Sequence, residues 1–308
     1  MNNRFKHPKI LTRLLLGLVS VFLLSGIFLS AWPTWEKHQA EAKKVAVAQV
    51  TVPPKVFPAV SLEAKAAVVV NAKNGKVIFG KNETEKMPLA SITKLMTAYV
   101  ASQSLGPADQ VTISPQALAG GSNAGLLVGD AWTVKNLTDY MLTTSSNGAA
   151  SALAEAVNSR GLDFISKMND TAANLGLSST RYMNETGLDL GQNFGGSYGS
   201  ATDVATLVRH ILKTKPDLMR PTVKPSIYTS SASGLVYTGE NTNDIVGKIP
   251  GLIGSKTGYT DSAGGNLTVV FDAGLAQPVV IVVLGSSKDG RFSDVLALTR
   301  ATVDYYSE

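Results

Sequence analysis

The longest apolar run in the chain is LLLGLVSVFLLSGIFLSAW, residues 14 to 32. It is free of charge, has the length of a membrane span, and follows Arg4, Lys6, Lys9 and Arg13. Residues 1–13 therefore read as a basic cytoplasmic N-terminus, and 14–32 as a transmembrane anchor or signal segment. The length favours the anchor, because Ala40-Glu-Ala42 lies far downstream for a cleavage site. Residues 33–61 carry four prolines and mixed charge with no sustained period, and read as an extracytoplasmic linker. From Leu62 the pattern changes. AKAAVVVNAKNGKVIFGKN gives two β-rich runs around Asn74-Gly75, a hairpin signal. Ile92, Leu95, Met96, Tyr99 and Val100 then fall at helical spacing from Ser91 onward, and further helices fit 134–143, 148–158, 162–175 and 201–213. After a Pro- and Ser-containing stretch from 216 to 250, β signals return in LIGSKTGYT, GGNLTVVFDA and QPVVIVVLG, and an amphipathic helix over 292–306 closes the chain. The expected fold class is α/β (α+β): a domain over 62–308 whose antiparallel sheet is built from both chain ends, with a helical region inserted between.

Composition narrows the chemistry. The 308 residues are 44% hydrophobic and 17% charged, which indicates a packed domain, and there is no Cys to form disulfides, thiol nucleophiles or thiolate metal sites. The net charge of +5 suits an anionic membrane or cell-wall surface. Much of the excess sits in the first 13 residues, where orientation in the membrane explains it, and no basic-aromatic stripe points to nucleic acid. A Ser-His-Asp triad needs a histidine, and the chain has His7 and His38, in the tail and linker, and His210. His210 falls off the apolar stripe formed by Val204, Leu207, Val208, Ile211 and Leu212, and reads as an exposed helix histidine. So few ligands also argue against a zinc hydrolase, and no phosphate-binding G-x-x-x-x-G-K loop is present.

A serine hydrolase with lysine in place of histidine remains. Ser91-Ile92-Thr93-Lys94 puts both side chains on one helical face, with Ser91 at the helix N-terminus, where the dipole favours developing negative charge. Lys94 can take the serine proton only when neutral, so its pKa has to be lowered by burial or by a second cation, and a second buried lysine is expected. Taken alone, S-x-x-K recurs by chance, and Ser91 is equally an N-cap before an apolar run.

Its companions decide the matter. Ser145-Ser146-Asn147 lies at the junction of two expected helices, and Lys256-Thr257-Gly258 on an expected strand. S-x-x-K, S-x-N and K-T-G, in that order and setting, resemble the penicillin-recognising serine enzymes of the serine β-lactamase and penicillin-binding-protein fold. Within them the chain looks most like the D-alanyl-D-alanine carboxypeptidases, over about residues 62–308. The run GGSNAGLLVGDAWTVKNL, TGLD at 186–189, GSATDVATLV, Asn241, Asn243 and Gly290-Arg291 carry the same likeness. The resemblance implies Ser91 as acyl-accepting nucleophile, Lys94 as its base, and Ser145 as proton relay to the leaving amine. It implies Asn147 as a holder of the substrate backbone, Lys256 as the second cation, and Thr257 and Arg291 as the grip on the substrate's terminal carboxylate. The backbone N–H groups of Ser91 and Tyr259 would form the oxyanion hole, and Gly258 would let substrate run beside the strand. The implied substrate is a peptidoglycan stem peptide, the implied inhibitors are β-lactams, and neither metal nor organic cofactor is needed.

Ser146 and Gly148 stand where the family often has Gly and Asp, and Tyr259 where His is frequent. The alternatives are a class A-like β-lactamase and a catalytically silent cell-wall binding protein. ETGLD, Glu185 to Asp189, comes near the β-lactamase's deacylating Glu motif; Glu185 is expected to be a surface residue without catalytic role. Because the chain ends with the catalytic domain's last helix, the N-terminal segment is expected to supply the membrane attachment.

Overall fold

Valine-rich runs become strands here because they are covered on both faces. The computed structural model describes residues 36, 37, 39, 55–274 and 276–307, so the expected cytoplasmic tail and apolar segment lie outside the described residues. The chain divides into two units, Met1–Lys55 and Val56–Glu308. In the first, Glu36, Lys37 and Gln39 are helical. Among the described residues no helix is long and apolar enough to cross a membrane. Everything below concerns the second unit, which begins earlier than the Leu62 boundary because Phe57, Val60 and Leu62 pack on its core.

Its sheet opens with β1 (Ala66–Asn71) and β2 (Val77–Lys81), the hairpin expected around Asn74-Gly75. The short β3 (Met87–Pro88) leads through a 3-10 turn, Ala90–Thr93, into α1 (Lys94–Ser104). Next come β4 (Gln110–Thr112), β5 (Ala131–Thr133), α2 (Val134–Thr144), α3 (Asn147–Asn158) and α4 (Phe164–Asn174). After β6 (Arg181–Tyr182), β7 (Ser197–Gly199) and α5 (Ala201–Thr214), a 3-10 segment over Pro216–Val223 precedes the hairpin of β8 (Ser226–Ser230) and β9 (Val236–Glu240). The chain then returns to the sheet with β10 (Leu252–Thr260), β11 (Gly264–Asp272) and β12 (Pro278–Ser286), and ends in α6 (Gly290–Ser307).

The five-stranded sheet runs β10-β11-β12-β1-β2, with every neighbouring pair antiparallel. It is therefore assembled from both ends of the unit with a helical region between them, as the pattern implied. Strand periodicity sorts its side chains into two cores. Val68, Val70, Val270, Val280 and Val282 join the core of the helical region, whereas Ala67, Val69, Val269, Phe271, Val279, Ile281 and Val283 pack with Phe292, Val295 and Leu298 of α6. Three layers result: helical region, sheet and C-terminal helix. Asp294 ties the two chain ends together, accepting from the backbone N–H groups of Glu63 and Ala64, each at 2.9 Å, and from Ser286 Oγ at 2.7 Å.

Two local expectations change. The first helix does not start at Ser91, which lies in the 3-10 turn; α1 starts at Lys94. The stretch from 216 to 250 contains a hairpin that its scattered Pro and Ser concealed.

Candidate active site

The site forms where the Ala90–Thr93 turn, the α2–α3 junction and the middle of β10 meet. α1 runs through the helical core, and Lys94, Leu95, Met96, Thr97, Ala98, Val100 and Ala101 are all buried. The stripe read from the sequence is thus only part of a buried surface, and Lys94 is fully enclosed while Ser91 stays partly accessible.

Lys94 Nζ contacts Ser91 Oγ at 2.8 Å, Asn147 Oδ1 at 2.7 Å and the Thr186 carbonyl at 2.8 Å. Two of these three partners can only accept. A neutral amine has two N–H bonds and one lone pair, so Asn147 and Thr186 take both hydrogens and the lone pair is left facing the serine hydroxyl. Burial lowers the Lys94 pKa to about 7, against an opposing pull from the Glu185 carboxylate. The second buried lysine is Lys256, whose Nζ donates to Ser145 Oγ at 2.8 Å and to the Thr257 carbonyl at 2.9 Å. Its pKa is held well below the ordinary lysine value by burial, and then by the positive charges of Lys94 and Arg291. The second lysine is therefore present, but its expected effect on Lys94 is not the cause of that shift: burial lowers Lys94, and the charge of Lys94 adds to burial only at Lys256.

The backbone around both serines is forced. Ala90, just before Ser91, has φ +49°, and Ser145, at the end of α2, has φ +60°, a left-handed conformation costing a non-glycine residue about 1 kcal/mol. Gly187 explains how the first is held: it has φ +79°, and a Cβ there would lie 1.9 Å from the Ala90 carbonyl oxygen. The TGLD segment therefore packs its backbone directly onto the turn that carries Ser91. The second is held by the loop between β4 and β5. Asn147 N–H donates to the Ser122 carbonyl at 2.9 Å, and Ser146 Oγ, which also caps α3 by accepting from Ala149 N–H, donates to the Asn123 carbonyl at 3.1 Å. Tyr140 Oη donates to the Ala124 carbonyl.

Gly258 has a structural reason beside the expected one. A Cβ on it would lie 2.9 Å from the Leu89 carbonyl oxygen and 3.1 Å from Ser91 N, so the glycine lets β10 close on the turn that carries Ser91. Thr257 Oγ1 pairs with Thr242 Oγ1 at 2.5 Å. Arg291, 7% exposed, reaches the strand from α6 and donates from Nη1 to the Gly258 carbonyl at 2.8 Å, with its Nε buried and without a partner among the described residues. Tyr259 is 44% exposed at the strand's edge. Asn243 braces the strand, its Nδ2 donating to Ser255 Oγ, and Asn241 Nδ2 donates to the Thr222 and Lys224 carbonyls of the preceding segment.

The residues named from the sequence thus converge on one centre, and two readings change. Glu185 is half-buried; it accepts from Ser151 Oγ through its carboxylate and from Thr97 Oγ1 through its carbonyl. His210 is not exposed but half-buried, paired through Nε2 with Tyr99 Oη at 2.7 Å, and it takes no part in this centre. The sequence reading missed the Thr186 carbonyl as a Lys94 partner; the TGLD motif was the only signal, since any residue supplies a carbonyl. It also missed Asp189, which accepts from Thr260 Oγ1 at 2.8 Å and Ser262 N–H at 3.1 Å and so fixes the far end of β10. Among the described residues no three acidic or histidine side chains are grouped as a metal ion would require.

The fold and the placement of Ser91, Lys94, Ser145, Asn147 and Lys256 match the class of penicillin-recognising serine enzymes. The family model for D-alanyl-D-alanine carboxypeptidases matches residues 49–288, and the chain belongs to that family. It is 33% identical over 239 residues to the D-alanyl-D-alanine carboxypeptidase DacF of Bacillus subtilis, covering 76% of this chain and 60% of that protein. A D-alanyl-D-alanine endopeptidase of Pseudomonas aeruginosa is 31% identical over 245 residues, covering 78% of this chain and 77% of that one. Among solved structures, the penicillin-binding protein D2 of Listeria monocytogenes in its ampicillin-bound form superposes with a TM-score of 0.70 at 30% identity, covering 80% of this chain and 99% of that one. The chain spans about 60% of the length of DacF.

Proposed function

We propose that the chain is a serine-type D-alanyl-D-alanine carboxypeptidase that removes the terminal D-Ala from peptidoglycan stem peptides through an acyl-enzyme on Ser91. The observation that carries this reading is the Lys94 environment. Its two hydrogens are taken by acceptors and its lone pair is aimed at Ser91 Oγ, at a pKa of about 7. In the proposed reaction neutral Lys94 takes the Ser91 proton as Oγ attacks the carbonyl carbon of the penultimate D-Ala. The tetrahedral oxyanion is met by the N–H groups of Ser91 and Tyr259. The carbon–nitrogen bond then breaks, with the departing D-Ala amine protonated through Ser145, whose hydroxyl is held by Lys256. Water hydrolyses the ester and frees Ser91.

Asn147 would orient the peptide, and Thr257 and Arg291 would favour a free C-terminal carboxylate. A β-lactam presents a similar acyl group and would acylate the same serine. Glu185, committed to Ser151, offers no support for the deacylating role it would need in a β-lactamase. The basic residues followed by a span-length apolar run support an extracytoplasmic catalytic unit attached through residues 14–32, or released if that segment is cleaved. The test is D-Ala release from a stem pentapeptide. Stoichiometric release that is lost in Ser91→Ala is expected, and a pentapeptide left intact by the wild-type chain would overturn the proposal.

A further inference from the structure

At the end of the sheet where β10 and β12 begin and β1 ends, away from Lys256 and Ser91, lies a second cavity of about 500 Å³. Its walls bring together Lys73 from the β1–β2 turn and Arg209, His210 and Lys213 from α5, with no Asp or Glu among the lining residues. Among the described residues none of these basic side chains is in an ion pair. Arg209 Nε donates to the Ala72 carbonyl at 3.1 Å, and His210 is oriented by its pairing with Tyr99, so both are fixed rather than free to swing away. Unneutralised cations drawn together repel, and a bound anion relieves that cost. The C-terminal dipole of α5 accounts for Lys213 in its last turn, but it does not account for Lys73, which another element supplies. The remaining wall is apolar, with Leu175, Leu212 and Ile253.

We propose that this cavity binds a phosphate monoester, its phosphoryl group among Lys73, Arg209 and Lys213 and its carbon skeleton against the apolar wall. A phosphoryl group suits the site better than a carboxylate for two reasons. Positive charges on two elements border the cavity, Arg209 and Lys213 on α5 and Lys73 on the β1–β2 turn, and three acceptor oxygens with a charge near −2 answer them more fully than a single carboxylate does. The guanidinium of Arg209, already tethered through Nε, keeps its outer N–H groups in the fork geometry that phosphate oxygens accept. The inference is independent of the reaction proposed above, because no lining residue belongs to the catalytic centre.

The test is calorimetric titration of the full chain, in a non-ionic detergent, with inorganic phosphate and with glycerol 3-phosphate. The same titrations are run on Lys73→Gln/Lys213→Gln, two exposed positions whose loss spares the fold, with benzylpenicillin acylation as the check that it does. Saturable binding is expected, tighter for the ester than for inorganic phosphate, and weaker by about tenfold or more in the double variant. Absence of saturable binding, or a double variant that binds as tightly as the wild type, would overturn the proposal.

Discussion

The base role proposed for Lys94 rests on a fold that withholds water from the lysine while leaving Ser91 accessible. Lys94→Ala should therefore lower the rate of acylation by benzylpenicillin by roughly a thousandfold, measured by stopped-flow or quenched mass analysis, without unfolding the chain. The pH dependence follows from the sign of the shift. Below about pH 7 Lys94 carries its proton and has no lone pair for Ser91, so the acylation rate should fall about tenfold per pH unit on the acid side and level off above it. Glu185 holds that pKa up, so Glu185→Gln should move the acid limb to lower pH while leaving the plateau close to wild type. A limb that stays in place would remove Glu185 from the account. Ser91, Lys94, Ser145, Asn147, Lys256 and Thr257 were legible from three short motifs, whereas Arg291 came only from the wider likeness and Asp189 was missed. The Thr186 carbonyl was not legible, because a backbone acceptor leaves no trace in residue type.

Among the elements, the closest constraints are backbone on backbone. Gly258→Ala would set a methyl group 2.9 Å from the Leu89 carbonyl oxygen and separate β10 from the Ser91 turn. Acylation should fall at least about tenfold while the circular dichroism spectrum stays native. Gly187→Ala combines a positive φ with a 1.9 Å clash on Ala90 and should cost about 2 kcal/mol or more, read as a lower denaturant midpoint. The helices were legible within a few residues, because each has an apolar face and most have a capping residue: Thr133, Ser146, Asp163 and Ser200 each accept from a backbone N–H of the first turn. The β8–β9 hairpin was not. Its strands are mostly exposed and carry Ser, Thr and Tyr rather than an alternating apolar face, so the period that announces a strand is missing.

At the scale of the whole molecule, the site exists because the two ends of the catalytic unit share one sheet. Asp294→Ala would leave the N–H groups of Glu63 and Ala64 and the Ser286 hydroxyl without their common acceptor, and should lower stability by about 2–4 kcal/mol in equilibrium denaturation. The sheet was legible because strand signals flank the helical region, whereas the domain boundary was blurred by the prolines of the preceding stretch. Phe57 stacks 5.1 Å from Phe79 and 5.9 Å from Tyr305, a contact too distant in sequence to read from a pattern. In the proposed mechanism the paired lysines make Ser91 a nucleophile, and the decisive measurement is an intact-mass time course of the full chain with benzylpenicillin, run beside Ser91→Ala. A persistent one-to-one adduct that maps to Ser91 and is absent from the variant is the result predicted. An adduct that forms equally on Ser91→Ala, or a wild-type chain that never takes up the drug, would contradict it.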